Sequence, residues 1–367
     1  ELEPDDENRG IFLGENIWRL DRRWTLFTEG SYISDETFVD AFFEPLAEER
    51  REFTNSLRAR YLDEKSVFSI EVRGSLNDFI ANEFLLQSLG YQTERLPEAR
   101  YARFADNLLG DLVSYSSDTR AGVVRLNFNE PDAREQGFNT RERSRAAFGL
   151  LPSQSVADRL RAQGFTEDEV ARFDTRHEIE IPLSAGPVNI VPFATGRVTA
   201  YDDDFDQFAD GDGESVRLWG SAGVRAATSF QRTYDDFENE LLGADGLRHI
   251  VEPEVTLWHA STNVKQEDLP IFDDGVESIA EGTAANVAVT NTFQTKRGPA
   301  GRRRSVDLLT VRTSHTWSSN DVDRESPFGR FFSARPEHSN LGRHVRNETV
   351  WNVTDSIAII NDVLIDT

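Results

Sequence analysis

The stretch FTNSLRARYLDEKSVFSIEVRGSL at residues 53–76 decides the fold class. Phe53, Leu57, Ala59 and Tyr61 fall on one side of an extended chain, with Asn55 the exception, while Thr54, Ser56, Arg58 and Arg60 take the other. Beyond a short polar connection at residues 63–66 the alternation resumes, with Phe68, Ile70, Val72, Gly74 and Leu76 opposing Ser69, Glu71, Arg73 and Ser75. Two alternating runs joined so briefly are expected to pair as an antiparallel hairpin.

Outward from this hairpin the same period recurs. Gly122, Val124, Leu126 and Phe128 alternate with Arg125 and Asn127, and residues 216–230 form a run longer than the usual strand of about 5–6 residues. Further strands are expected near 24–33, 93–104, 175–183, 188–201, 247–259, 284–296, 305–317 and 346–359. No stretch approaches the roughly 18 consecutive apolar residues of a spanning helix. A transmembrane barrel remains open, because its strands need only ~9–11 residues, apolar toward lipid and polar toward the lumen. Trp18, Trp24, Tyr101, Tyr201, Tyr234, Trp258, Trp317 and Trp351 stand near strand ends and suit an aromatic girdle. One segment breaks the period: SQSVADRLRAQG reads as a short helix, and in TEDEVARF the pair Thr166 and Glu169 suggests a capping box for a second. Together they predict a helical loop insertion at about 153–173.

Composition narrows the chemistry. The 367 residues include 40 basic and 65 acidic ones, a net charge of −25 that disfavours nucleic-acid binding through phosphate neutralisation. With no cysteine there is no disulfide, thiolate zinc site or cysteine nucleophile. The six histidines show no ligand spacing, and no nucleotide-binding, hydrolase or metalloprotease motif occurs. No catalytic, cofactor or metal residue is expected. Between Asp202 and Glu214 acids cluster around glycines; a calcium loop and a solvated loop outside the hydrocarbon band both fit, although the EF-hand pattern fails at Gln207.

Several short patterns, taken in order, resemble one family. Arg9 and Gly10, then YISDETF at 32–38 with Ser34 and Asp35, then RLPEARY at 95–101 with Leu96 and Pro97, are followed by RHIVEPEVTL at 248–257 and LPIFDD from Leu269. Arg248, His249 and Pro253 are the most specific of these. The order and spacing are similar to the barrel part of LptD, the lipopolysaccharide-assembly outer-membrane proteins, also called organic solvent tolerance proteins. The resemblance spans approximately residues 9–300. It implies an all-β fold, a large antiparallel transmembrane β-barrel of the outer membrane of which this chain is an incomplete region, and no enzymatic activity. It also implies lipopolysaccharide or a related glycolipid as cargo, a plug lipoprotein like LptE, and a periplasmic Lpt bridge protein. In such a transporter, Arg58, Arg60, Arg73, Arg125, Arg217 and Arg225 are expected to face the lumen, holding phosphates or pairing with neighbouring acids. The chain stops inside strand pattern and is shorter than a complete family barrel, so an excerpt is expected. From the residues alone, a porin-like channel and a soluble acidic β-sandwich that binds carbohydrate or calcium remain alternatives.

Overall fold

The structure, a computed structural model, describes residues 9–43, 45–46, 52–88, 90–202, 215–240, 242–266, 269, 271–299, 301–319, 330–339 and 341–367. The acidic stretch 203–214, with its candidate calcium ligands, lies outside them.

The alternating runs become strands of one antiparallel sheet. They are β1 (Ile11–Arg19), β2 (Trp24–Ile33), β3 (Asn55–Leu62), β4 (Ser66–Gly74), β5 (Tyr91–Leu108), β6 (Val113–Phe128), β7 (Val170–Glu180), β8 (Leu183–Ala185) and β9 (Val188–Tyr201). The second half holds β10 (Val216–Ala227), β11 (Phe230–Asn239), β12 (Ala244–Thr262), β13 (Gly282–Arg297), β14 (Arg304–Ser318), β15 (His344–Asn352) and β16 (Ala358–Asp366). Neighbours in sequence are neighbours in the sheet, apart from β8, which pairs with β9 alone, and β11, which pairs with β12 alone. Among the described residues the result is a 16-stranded, barrel-like meander, not two packed sheets. Among the described residues no helix is long and apolar enough to cross a membrane.

Connection lengths sort by end. Residues 20–23, 63–65, 109–112, 240–243, 298–303 and 353–357 make short turns at one end. The longer links, from β2 to β3, β4 to β5, β6 to β7, β9 to β10, β12 to β13 and β14 to β15, leave and re-enter the sheet at the other. Outer-membrane barrels have this asymmetry, with short periplasmic turns and longer extracellular loops.

Two local departures from the sequence reading have physical causes. The run at 216–230 is interrupted at Thr228 and Ser229, so Phe230 opens β11. Ala227 pairs with Glu254 and Phe230 with Val251, which places the break against Pro253. Pro253 has no N–H for that edge; its carbonyl accepts from Thr228 N at 3.2 Å and the ladder skips a step. The segment 346–359 is two strands, β15 and β16, because Thr354 closes a turn, its hydroxyl accepting from Ser356 N and Ile357 N at 3.1 and 3.0 Å.

The helical insertion also differs from expectation. α1 (Phe38–Phe42) and α2 (Glu83–Ser88) are short, and the 129–169 link carries α3 (Arg141–Phe148) and α4 (Val156–Ala162). α4 is the expected helix, started by Ser155, whose side chain accepts from Asp158 N. The second expected helix does not form: β7 begins at Val170, because the period-2 sequence VARFDTRHEIE outweighs the capping signal of Thr166 and Glu169. α3 was not legible as a helix; Thr140 caps it and Gly149 ends it at a φ of 70°. Phe138, Phe148, Leu150, Val156 and Leu160 bury themselves against Val124, Leu126 and Phe128 of β6, each contributing roughly 1.5–3 kcal/mol.

Candidate functional site on the inner face

Every strand has two faces, and β7 shows the difference. Arg172, Asp174 and Arg176 are buried, whereas Phe173, His177 and Ile179 are exposed. Register carries that assignment sideways: Asp174 pairs with Arg120 and Thr199, and Thr199 with Arg217. The inner face is thus polar and buried. The outer face presents Leu57, Ile70, Val72, Val198, Leu218, Leu257, Val287 and Ile365 to the surroundings, a wider apolar display than a soluble protein tolerates. Trp18, Tyr101, Tyr234, Trp317 and Trp351 are also exposed, as a girdle requires, but Tyr201 and Trp258 are not. Both share the buried inner face, at 7% and 2% exposure, and pack against inward-folded loops, so they leave the expected girdle.

Two long-end links fold onto the inner face, and arginines hold them. In the 263–281 link Glu277, fully buried, accepts from Arg172 Nη1 at 2.8 Å and from the Tyr201 hydroxyl at 3.0 Å. Arg172 reaches Glu98 with its other nitrogen at 2.6 Å. Arg197 donates to the Gly275 carbonyl at 2.7 Å while its remaining fork grips Asp174, and Arg217 donates to the carbonyls of Val276 and Glu277. Asp273 is paired with Arg120 and, at 3.5 Å, with Arg95. Burial pushes the Asp273 carboxyl up, but Arg120, Arg172, the Gly275 N–H and Arg95 outweigh it and hold the group below its ordinary 3.8. From the 319–343 link, Glu337 accepts from Arg176 at 2.9 and 2.6 Å, and its carbonyl accepts from Ala280 N at 2.8 Å, joining the two links. Burial holds the His338 imidazole below its ordinary 6.5; Arg335, Arg197 and Arg176 act in the same direction against Glu337.

The residues singled out in the sequence fall into separate places. Arg9, Gly10, Ser34 and Asp35 converge at the long-loop end: Arg9 Nε donates to Asp35 at 2.8 Å and Gly10 N to the Ser34 hydroxyl at 2.9 Å, pinning the entry of β1 to the exit of β2. Leu96 and Pro97 form a bulge in β5, joined by a cis peptide bond, opposite the single residue Val123 and next to the Glu98–Gly122 pair. A Cβ on Gly122 would collide with the Pro97 carbonyl and sit 2.6 Å from Glu98 Cα, so the bulge requires glycine. Arg248 bonds Gln231 at 2.9 Å, while His249 lies on the opposite face, stacked on Phe293 at 4.2 Å. Arg58 and Arg60 lie over the Phe27 ring, Arg73 pairs with Glu52, and Arg225 pairs with Glu180 and donates to the Ser333 and Ala334 carbonyls. These four and Arg217 share the inner face by register and contact.

Arg125 does not join them. It pairs with Glu94 on the face opposite Val124 and Leu126, which point inward to meet α3 and α4. Polarity alone assigned it the wrong side, because here the inner face is apolar. Arg172, Arg176, Arg197 and Glu337 were not singled out from the sequence, although the alternating charges of VARFDTRHEIE marked a polar strand face; Glu277 lies just beyond the flagged LPIFDD.

An antiparallel meander with a polar, loop-filled inner face and an apolar, aromatic-flanked outer face defines an outer-membrane type of β-barrel. The profile of the family described as LptD, LPS transport system D, matches residues 7–304, and the chain belongs to that family of outer-membrane transport proteins. No curated protein matches. Among solved structures, LpxR from Salmonella typhimurium aligns at 14% identity over 77% of this chain and 88% of that one, with a TM-score of 0.23 that is too low to carry an argument.

Proposed function

We propose that this chain resides in the outer membrane and takes part in moving lipopolysaccharide, or a related glycolipid, to the outer leaflet. The family match over residues 7–304 carries the reading, and the two chemically opposite sheet faces support it. A cargo with a charged sugar head and acyl chains suits such a wall: the head travels along the polar face, and the chains leave sideways into lipid. The loops clamped by Arg172, Arg176, Arg197 and Arg217 obstruct the long-loop end, which favours a sideways exit. A plug lipoprotein resembling LptE and a periplasmic Lpt bridge protein are the proposed partners. The chain supplies no reaction in this scheme; it positions and conducts.

The absence of native cysteine makes the test direct. In intact cells, a membrane-impermeant maleimide should label Arg141→Cys at the long-loop end, whereas Arg22→Cys in a short turn should label only after the outer membrane is permeabilised. Depletion of the protein should at the same time reduce surface glycolipid. Unchanged glycolipid display after depletion would remove the transport reading, and inverted labelling would remove the orientation.

A further inference from the structure

Apart from the outermost β1 and β16 and the short β8, every strand of the sheet has a neighbour on each side except β11. β10 pairs with β9 as far as Ala227 opposite Asn189, and there β9 turns back through Gly186 and Pro187 into β8. β11 runs on from Phe230 to Asn239 against β12, and among the described residues no strand pairs with its other edge. That edge stands at the short-turn end, where residues 240–243 return the chain into β12.

The ladder fixes which backbone groups are free. Thr228 N donates to the Pro253 carbonyl at 3.2 Å, and the pairs from Ala227–Glu254 to Tyr234–Leu247 keep one register. Antiparallel alternation then turns the N–H and C=O groups of Phe230, Arg232 and Tyr234 toward β12 and those of Gln231 and Thr233 outward. Such an edge is a template for one more strand. Phe230 and Tyr234, 57% and 41% exposed, line one face of it. Natural edges are guarded by charge, proline and bulges. Here the register shift and the acids fall in the far half, from Asp235 to Glu238, while Phe230 to Tyr234 is straight and carries neither acid nor proline.

Charge decides what can be added. Residues 230–240 hold four acids, Asp235, Asp236, Glu238 and Glu240, against Arg232, whose guanidinium carbon lies 5.1 Å from the Tyr234 ring centroid. None of the four forms an ion pair among the described residues. A second copy would set two such acidic hairpins, each in a chain of net charge −25, against each other. A basic strand meets opposite charge instead.

We propose that the free edge of β11 docks an extended, basic segment of another polypeptide, which adds as a strand along Gln231 and Thr233 with its cations beside Asp235, Asp236 and Glu238. The surface is separate from the loop clamps of the inner face and goes beyond the transport reading.

The test uses the full chain folded in detergent micelles and three probes: a short peptide of alternating valine and lysine, the same peptide with glutamate for lysine, and the lysine peptide N-methylated at every backbone amide. Hydrogen exchange in β11 should slow with the lysine peptide and stay unchanged with the glutamate one. N-methylation keeps the charge but removes the donors of the added strand, and should weaken binding at least about tenfold. Thr233→Pro removes an outward N–H and none toward β12, a change that edge strands tolerate, and should weaken binding by a similar factor. Replacing Asp235 and Asp236 together by Asn should weaken it without touching the backbone. Equal binding of the lysine peptide and its N-methylated form reduces the effect to charge attraction and overturns strand addition. Equal binding of the lysine and glutamate peptides overturns the basic partner, and spontaneous disulfide dimers of Thr233→Cys assign the edge to a second copy and overturn it too. Unchanged exchange in β11 with every peptide removes the docking edge altogether.

Discussion

The inner face carries arginine in two settings. On β6, β7, β9 and β10 the guanidinium groups of Arg120, Arg172, Arg176, Arg197 and Arg217 close onto Asp273, Glu277, Glu337 and loop carbonyls. On β14 and β15 Arg312 and Arg346 are steadied by acids of the sheet itself, and the space in front of them stays open. The residue type is the same and the difference is whether a carboxylate or carbonyl of a loop has closed onto it. Where it has, the arginine ties a loop to the wall; where it has not, it ties neighbouring strands to one another. A count of inner-face arginines therefore says little about how many lack a partner within the protein.

The sharpest way to break this comparison is to remove the anchor of the clamped half. Glu277→Gln leaves Arg172 with half its buried carboxylate partners and weakens the acceptor for the Tyr201 hydroxyl. Breaking a buried pair from one side costs about 3–5 kcal/mol. Denaturant unfolding in micelles should show a loss of that order, together with new protease cleavage in the 263–281 link. A loss below about 1 kcal/mol would mean that the loop rests on apolar packing and that the arginines are not its clamp.

A smaller effect is expected from the strand that supports the clamp. Glu98, which holds Arg172, is aimed by the bulge at Leu96 and Pro97 packed onto Gly122. Gly122→Ala forces a Cβ into backbone and should cost about 1–3 kcal/mol by the same unfolding measurement. Gly220→Ala, where the nearest atom to a Cβ is the Thr195 carbonyl at 3.9 Å, should cost far less, and equal losses would remove the special role of the bulge.

Acid should loosen the clamped half before the open one. The Asp273 carboxyl is held below its ordinary 3.8, so its contribution is present above that value and is lost as pH falls through the lower folded value. Protease accessibility of the 263–281 link, followed from pH 5 downward, should rise only below about 4, and Asp273→Asn should flatten that rise. A rise of equal size in the Asp273→Asn protein would assign the acid sensitivity to other groups.

How much of this was legible in the sequence follows from what each signal depends on. Period-2 alternation is local, so the hairpin at 53–76 and strands such as Val188–Tyr201 were readable from residue order alone. Which face points inward is not local. For β3, β4, β7 and β10 the polar side is the inner one, but at Val124, Leu126 and Phe128 the insertion with α3 and α4 supplies an apolar partner and reverses the rule. The bulge at Leu96 and Pro97 shifts β5 by one residue and moves Glu94 to the outer face with Arg125. The clamps were least legible, because Arg172 and Glu277 are 105 residues apart and Arg176 and Glu337 are 161 apart. Only the clustering of charge on the inner strand face and the LPIFDD motif hinted at them. The motif residues Arg9, Gly10, Ser34 and Asp35 did prove to be one contact, which explains why their spacing carries information.

Arg125 supplies the smallest and most discriminating prediction. Its side chain is 40% exposed and pairs with Glu94, whose side chain is 4% exposed and whose other oxygen accepts from Ser75 N at 3.0 Å. Glu94 therefore keeps a partner when the arginine is removed, and a half-exposed pair of this kind contributes at most about 1 kcal/mol. Arg125→Ala should shift unfolding by no more than that, since the residue is on the outer face and away from the loop clamps. Arg172→Ala, which leaves Glu98 and Glu277 buried without their shared cation, should instead cost about 3–5 kcal/mol. If Arg125→Ala instead costs as much as Arg172→Ala, the face assignment made from register is wrong at β6, and the distinction between clamping and outer-face arginines fails with it.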